Sequence, residues 1–275
     1  MLLQGKRALI MGVANNRSIA WGIARAFHRE GATLGFTYQN DRLKENLVGL
    51  LAEIGGEAAF PLFKCDVASD DEVTATFAGL KERWGALEVL VHCLAFADRD
   101  DLSRPFSEIS RKGYALALDV SAYSLIHCAG AARALFAAAG GGAIMTLTYN
   151  AVDRVVPSYN VMAIAKAALE CEVRYLAADL GPIGIRVNAI SAGPLRTLAA
   201  SAVRGISGFR DAVEEVAPLR RNVTQEEVAD VAVFLASDLS RSVTGNTIFA
   251  DSGFHVMSVA GQAEVRGKAG SSRPS

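Results

Sequence analysis

The chain of 275 residues has only four cysteines, Cys65, Cys93, Cys128 and Cys171, and no two of them form a CxxC pair. Each sits in an apolar segment, where a free thiol behaves as a small hydrophobe, so neither disulfide staples nor a zinc site is expected. Charge of one sign is lacking as well: 28 Lys and Arg against 29 Asp and Glu leave a formal net charge of -1. That balance offers no global attraction to nucleic acid or to an anionic membrane. The N-terminal residues run from Met1 straight to Lys6 and Arg7 without a long apolar stretch or a cleavage-site pattern, so no secretory signal is read there and the cytoplasm is the expected compartment. The longest apolar run, roughly 129–139, is broken by Arg133. It is too short to span a bilayer and reads as a buried helix.

What is present is core-forming material, with 51% hydrophobic and 21% charged residues. Short β-type runs alternate with helix-type stretches: RALIM (7–11), TLGFT (33–37), AAFPLF (58–63), LEVLV (87–91), AIMTL (143–147), IRVNAI (185–190) and NTIFA (246–250). Strands regularly separated by helices imply right-handed βαβ units, hence a single Rossmann-like, doubly wound α/β domain with a seven-stranded parallel sheet flanked by helices. The helices have their own support: Ile19, Ile23 and Phe27 recur at i, i+4, i+8, and Val228, Val231 and Leu235 at i, i+3, i+7. One domain is expected over 1–260. Beyond it the stretch 261–275 loses apolar periodicity and reads as a disordered tail.

RALIM runs directly into GVANNRSIAWGIA, where Gly12 permits a tight turn and Ser18 opens a helix whose free N–H groups suit a pyrophosphate. A GxGxxG fingerprint is missing, because Ala14 stands two after Gly12 and the next glycine, Gly22, lies within the helix. Other strand ends add to the loop. Asp66 in CDV is placed to accept from an adenine amine, small Ala95 in CLAFA lets backbone approach a ribose, and SAGPLRT offers Gly193 for a turn and the Thr197 hydroxyl for phosphate. Gln39, at the end of the second strand, stands where a side chain reads the adenosine 2′ position with no arginine immediately beside it, which favours NADH. Singly, Asp66 is a turn residue, Ala95 filler and Gly193-Pro194 punctuation. Four such loops on one sheet edge argue for a dinucleotide.

Together, GVANNRSIAWGIA, CDV, AFADRDDL, TLTY, YNVMAIAKAALE, RVNAISAGPLRT and DSGF resemble the enoyl-acyl-carrier-protein reductases of bacterial fatty-acid synthesis, a divergent branch of the short-chain dehydrogenases, collinearly over residues 1–258. The resemblance implies that Tyr159 hydrogen-bonds a thioester carbonyl, Lys166 holds the nicotinamide ribose and Tyr149 lines the acyl pocket. It also implies that Gly12, Ser18, Ile19, Asp66, Val67, Ala95, Leu195 and Thr197 surround NADH. The implied substrate is an enoyl thioester on acyl carrier protein, and the implied assembly is a homotetramer packed through the long helices before Tyr149 and after Tyr159. Tyr149 also fits a plain core aromatic. A related dehydrogenase acting on another activated alkene or carbonyl compound, or a non-catalytic dinucleotide sensor, remains as an alternative. Lys166 lies among Ala163, Ala165, Ala167 and Ala168, a packed face where an unpaired ammonium would be costly.

A four-residue Tyr-to-Lys step, usual for ketone reduction, is absent: Met162 stands four before Lys166, and Ala163 four after Tyr159. The step here is seven. In a conjugated enoyl thioester, hydride goes to the β-carbon while charge gathers on the thioester oxygen, about 2 Å further from the nicotinamide. Seven residues return to the same helix face, and three more than four add roughly 4.5 Å of rise, so the donor retreats while staying in line. Finally, Gly205 and Gly208 interrupt a helical pattern carrying Leu198, Val203, Ile206 and Phe209, which suits either a lid over an acyl chain or an ordinary surface helix-loop-helix.

Overall fold

The computed structural model describes residues 1–197 and 206–257. Leu198, Val203 and Gly205 of the expected lid, and the tail 261–275, lie outside the described residues. Seven strands form one sheet: β1 (Arg7–Met11), β2 (Thr33–Tyr38), β3 (Leu62–Lys64), β4 (Val89–His92), β5 (Gly142–Thr148), β6 (Ile185–Ala192) and β7 (Thr247–Ala250). They lie in the order β3-β2-β1-β4-β5-β6-β7, and every pair is parallel. The helices of eight or more residues are α1 (Ile19–Arg29), α2 (Asp41–Leu51), α3 (Asp70–Trp84), α5 (Arg111–Leu118), α6 (Ser124–Ala139), α7 (Asn160–Leu180), α8 (Ile206–Val216) and α9 (Gln225–Ala236); a shorter one, α4, spans Arg99–Ser103. This is the doubly wound α/β fold that the alternation of runs predicts.

The sheet is buried on both faces, which is why its strands read as continuous apolar runs instead of alternating ones. Along β1, Ala8 and Ile10 join a core with Ile23 and Phe27 of α1 and Val228 and Val233 of α9. Leu9 and Met11 point the other way, into a core with Phe77 of α3, Phe136 of α6 and Leu169 and Val173 of α7. A thin layer of strands between two helical layers follows from that period-two alternation.

Three expectations need correction. The third strand was expected over 58–63, but Glu57–Ala59 is a 3-10 turn and pairing starts only at Leu62. Pro61 has no N–H to donate, and it contributes only its carbonyl, which accepts from Phe36 N at 3.0 Å. The apolar run 129–139 is the end of a longer helical stretch, 111–139, which by length and composition alone is long and apolar enough to cross a membrane. Within the fold, α6 buries Leu125, Cys128, Ala129, Ala132, Leu135 and Phe136, the pattern of a core helix. Gly208 does not interrupt α8, which runs through it from Ile206; one glycine costs a helix only about 1 kcal/mol.

In this strand order β1 lies between β2 and β4, so the chain leaves the sheet in opposite directions at β1 and β4 and opens a crevice at their carboxyl ends. Gly12, at the end of β1, has φ +95°, and a Cβ there would stand 1.9 Å from the Cys93 carbonyl oxygen on the loop after β4. Backbone meets backbone at the crevice floor. Gly12→Ala is therefore expected to destabilise the fold by about 2 kcal/mol or more in urea unfolding. Gly5→Ala, at φ +79° with nothing within 4 Å, carries the backbone strain alone and is expected to lose about 1 kcal/mol. Equal losses would show that the contact with Cys93 is irrelevant.

Candidate active site

Helix α7 turns Val161, Met162, Ala165, Leu169 and Val173 inward, and Lys166 sits on the same buried side, 5% exposed. Its Nζ donates to the Leu147 carbonyl of β5 at 2.8 Å. Burial pulls the ammonium down to about 8, opposed by Cys93 and Glu170. The side chain is thus a cation at neutral pH, held in a dry setting where its field is poorly screened.

Tyr159 is the residue just before α7, with φ -91° and ψ -24°. Tyr159 and Lys166 do not share the one continuous helix face that the seven-residue spacing predicts: Ser158 (φ +64°) and Asn160 (φ +35°) turn the chain left-handed on either side of the tyrosine. The Asn160 amide steadies this turn by donating to Arg104 O at 2.8 Å and Leu102 O at 3.2 Å. Tyr149 follows β5. Its ring lies 5.0 Å from that of Tyr159, centroid to centroid, tilted by 47°, and its hydroxyl is buried without a partner among the described residues. Burial raises both phenols well above their ordinary range. They remain protonated hydrogen-bond donors.

The expected dinucleotide residues lie along the carboxyl edge of the sheet. Ser18 does not cap α1; its hydroxyl accepts from Ala14 N and Asn15 N, each at 3.0 Å, and so shapes the loop. Ile19 is half-buried against the core. Gln39 donates to Asp66 at 3.0 Å, and a second oxygen of Asp66 accepts from Ala68 N at 3.1 Å. Val67 is buried and Ala95 exposed. Leu195 packs on the core, and Thr197 N donates to Leu195 O at 2.9 Å. Gly12 meets Cys93 of the 93–97 loop, Cys93 acts on Lys166 and Tyr149 lies beside Tyr159, whereas Gln39 and Asp66 pair at the β2–β3 end. From β2 to β5 is three strand spacings, roughly 14 Å. That span suits an extended ligand. No cluster of three or more His, Cys, Asp or Glu able to hold a metal occurs among the described residues.

Three participants escaped the sequence reading. His92, the last residue of β4, is fully buried, with Nε2 2.8 Å from Ser124 Oγ and Nδ1 3.1 Å from Thr146 Oγ1. Because the Ser124 hydroxyl donates to Val120 O at 2.7 Å, it must accept from Nε2–H, which leaves Nδ1 to accept from Thr146. Ser121 lies in a π turn, Asp119–Tyr123; its hydroxyl accepts from Phe96 N at 2.9 Å and donates to Phe96 O at 3.1 Å, clasping the loop after β4. Glu170, one turn beyond Lys166, accepts from Thr148 Oγ1 at 2.6 Å. Only Glu170 carried a legible signal, its i+4 spacing from Lys166.

Residues 12–255 match the family model described as enoyl-(acyl carrier protein) reductase. The chain is 51% identical over 258 residues to the enoyl-[acyl-carrier-protein] reductase [NADH] FabI of Nostoc sp., covering 93% of this chain and 98% of the relative. It is 52% identical over 256 residues to the enzyme of that name from Bacillus cereus, covering 93% and 99%. Among solved structures, the Bacillus cereus enoyl-acyl carrier protein reductase with NADP+ and indole naphthyridinone superposes with a TM-score of 0.91 at 52% identity, covering 94% of this chain and 99% of that one. The Anaplasma phagocytophilum reductase in complex with NAD gives 0.89 at 41% identity, covering 94% and 97%.

His92 also makes stability depend on pH. Burial, then the Lys166 charge, lowers its folded pKa to about 3 from 6.5. The unfolded chain binds the extra proton between those values, so this contribution is complete above pH 6.5 and is lost at about 1.4 kcal/mol per pH unit as pH falls toward 3. His92→Gln, which has no titrating ring, is expected to show a shallower fall in stability between pH 6.5 and 4.5 by urea unfolding. Parallel profiles would rule out a buried neutral imidazole.

Proposed function

The chain belongs to the enoyl-acyl-carrier-protein reductase family, and on that premise we propose how its site residues carry out the reaction. It is an oxidoreductase that reduces the trans-2 double bond of enoyl thioesters on acyl carrier protein with NADH, a reductive step of fatty-acid elongation. NADH supplies the hydride delivered to the β-carbon.

The residues present fit such a cofactor. A buried ammonium whose one hydrogen bond among the described residues goes to Leu147 O has two further protons for ribose hydroxyls. The N-terminus of α1 has no side-chain cap and offers its N–H groups to a pyrophosphate. Gly12, Ser18 and Ile19 would hold the phosphates together with Leu195 and Thr197, and Ala95 would border the ribose. Asp66 and Val67 would receive the adenine, with Gln39 at the adenosine 2′ position.

Tyr159 would donate its hydrogen bond to the thioester oxygen, where negative charge collects as hydride arrives. Such a donor in a dry site favours the transition state over the ground state. Tyr149, with its hydroxyl buried and without a partner among the described residues, would form the adjacent wall of the acyl site. The observation that carries the reading is the pairing of two protonated phenols at the end of β5 and the start of α7, with the buried ammonium of α7 bonded to β5 two residues before Tyr149. The cytoplasm is the proposed compartment and residues 1–260 the proposed catalytic domain. The assembly proposed is a homotetramer, supported by exposed Tyr123, Ile126 and Tyr175 on or beside the long helices α6 and α7.

Two single variants separate the roles. Tyr159→Phe is expected to lower kcat with NADH affinity near normal, and Lys166→Ala to weaken NADH binding and lower turnover together, each by about 1–4 kcal/mol. Steady-state kinetics on enoyl thioesters with direct NADH titration would check this; a Tyr159→Phe enzyme that binds NADH poorly but keeps its kcat would reverse the assignment. For the assembly, Tyr175→Asp is expected to shift sedimentation toward smaller species, and an unchanged profile would remove Tyr175 from any interface.

A further inference from the structure

Glu170 stands outside the roles assigned above, yet it touches both halves of the site. It lies on α7 four residues after Lys166, half-buried on the sheet side of the helix. Its carboxylate accepts from the hydroxyl of Thr148, the last residue of β5, at 2.6 Å. The next residue along the chain is Tyr149. The bond therefore joins the strand end that carries one phenol to the helix that carries Lys166 and begins beside the other phenol. We infer that Glu170 is a positioning residue for this site: it fixes the Tyr149 strand end against α7 through Thr148 and sets a carboxylate one turn along the helix from Lys166. The inference rests on the assignment of Lys166 to the NADH ribose.

The surroundings make the charge effect specific. Lys166 is faced from β4 by His92, which is neutral, from the following loop by the Cys93 thiol, which burial pushes up to about 11, and from its own helix by Glu170. Glu170 is faced by Thr148 of β5, Thr247 of β7 and Asp153 after β5, and by Arg174 one turn further along α7. Burial raises its carboxyl, while Thr148, Thr247 and Arg174 oppose the rise. In the alkaline range where Lys166 titrates, the carboxylate is the one anion on α7 within a turn of the ammonium. Its charge raises the lysine, so removing that charge lowers the pH at which Lys166 loses its proton.

The test is NADH affinity of the whole protein, measured by fluorescence titration from pH 6.5 to 9.5 without substrate, followed by kcat at saturating NADH. Glu170→Gln retains an acceptor for Thr148 but loses the charge. Its affinity should match the parent at pH 6.5 and fail earlier on the alkaline side, the midpoint moving down by about 0.5 pH unit or more. Thr148→Val keeps the charge and breaks the tie, so the midpoint should stay in place while kcat falls about threefold to tenfold, with Thr148→Ser restoring it. If Glu170→Gln does not fold, the two Thr148 variants decide alone. A Glu170→Gln profile that superimposes on the parent, or a Thr148→Val enzyme as active as the parent, would overturn the inference. A parent protein that binds NADH but reduces no enoyl thioester would instead overturn the functional reading and leave the binding profile to judge Glu170.

Discussion

Keeping one ammonium out of water is the constraint around which the site is built. Lys166 is 5% exposed, and an isolated charge at such a position would shed its proton or drag water inward. Neither outcome is needed because β5 supplies the Leu147 carbonyl at 2.8 Å. The imidazole of His92, the other basic group at this depth, is tied down by Ser124 and Thr146 and kept uncharged. The arrangement has a direction: strand β4 offers a neutral base, β5 an acceptor, and α7 both the cation and its counter-charge. Displacing any of the three elements would expose or unpair the ammonium, so packing of the core and electrostatics of the site are a single requirement.

The parallel sheet makes that requirement achievable. All seven strands end on one edge, and the order around β1 and β4 opens a crevice there. The groups that surround the ammonium come from chain positions far apart. Gly12 and Cys93 touch through backbone alone, Ser121 grips the Phe96 peptide through both its N–H and its carbonyl, and Asn160 holds the end of α4 from the start of α7. The first and last of these ties cross between loops that follow different strands, while Ser121 folds the long β4–β5 connection back on itself. A loop edge held this way can keep two tyrosines 5.0 Å apart without burying them completely.

Features that rest on periodicity were legible in the sequence. Runs such as RALIM and IRVNAI are apolar throughout because both sheet faces are covered, so strands, helices and fold class could all be read. The third strand was misplaced because Phe60 and Pro61 extend the apolar run past the point where ladder bonds can form. Gly12, Gln39, Asp66, Ala95 and Lys166 stand at strand ends or on a packed helix, positions whose meaning comes from the fold class itself. His92 and Ser121 were hidden for the opposite reason. A histidine closing the run VLVH looks like core, and a serine in a long helix looks like surface, until a π turn brings its hydroxyl to another loop. Their roles depend on contacts across 25 to 54 positions, which no local pattern encodes.

The seven-residue step illustrates the same limit. Counted along an ideal helix, it moves the phenol back by about one turn. In the fold, α7 starts only at Asn160, and Tyr159 sits in a turn with left-handed residues on both sides. The phenol is thus placed by the turn and its anchoring to α4, not by helical rise alone. The position that a four-residue step would use belongs to Met162, which is buried with Leu102, Ala117, Val161 and Ala165. A hydroxyl there would lose water without gaining a partner. The longer step therefore does two things at once: it frees the first turn of α7 to be an apolar wall, and it sets the phenol of Tyr159 at the end of that wall, beside Tyr149, where the proposed assignment would have it meet the thioester oxygen.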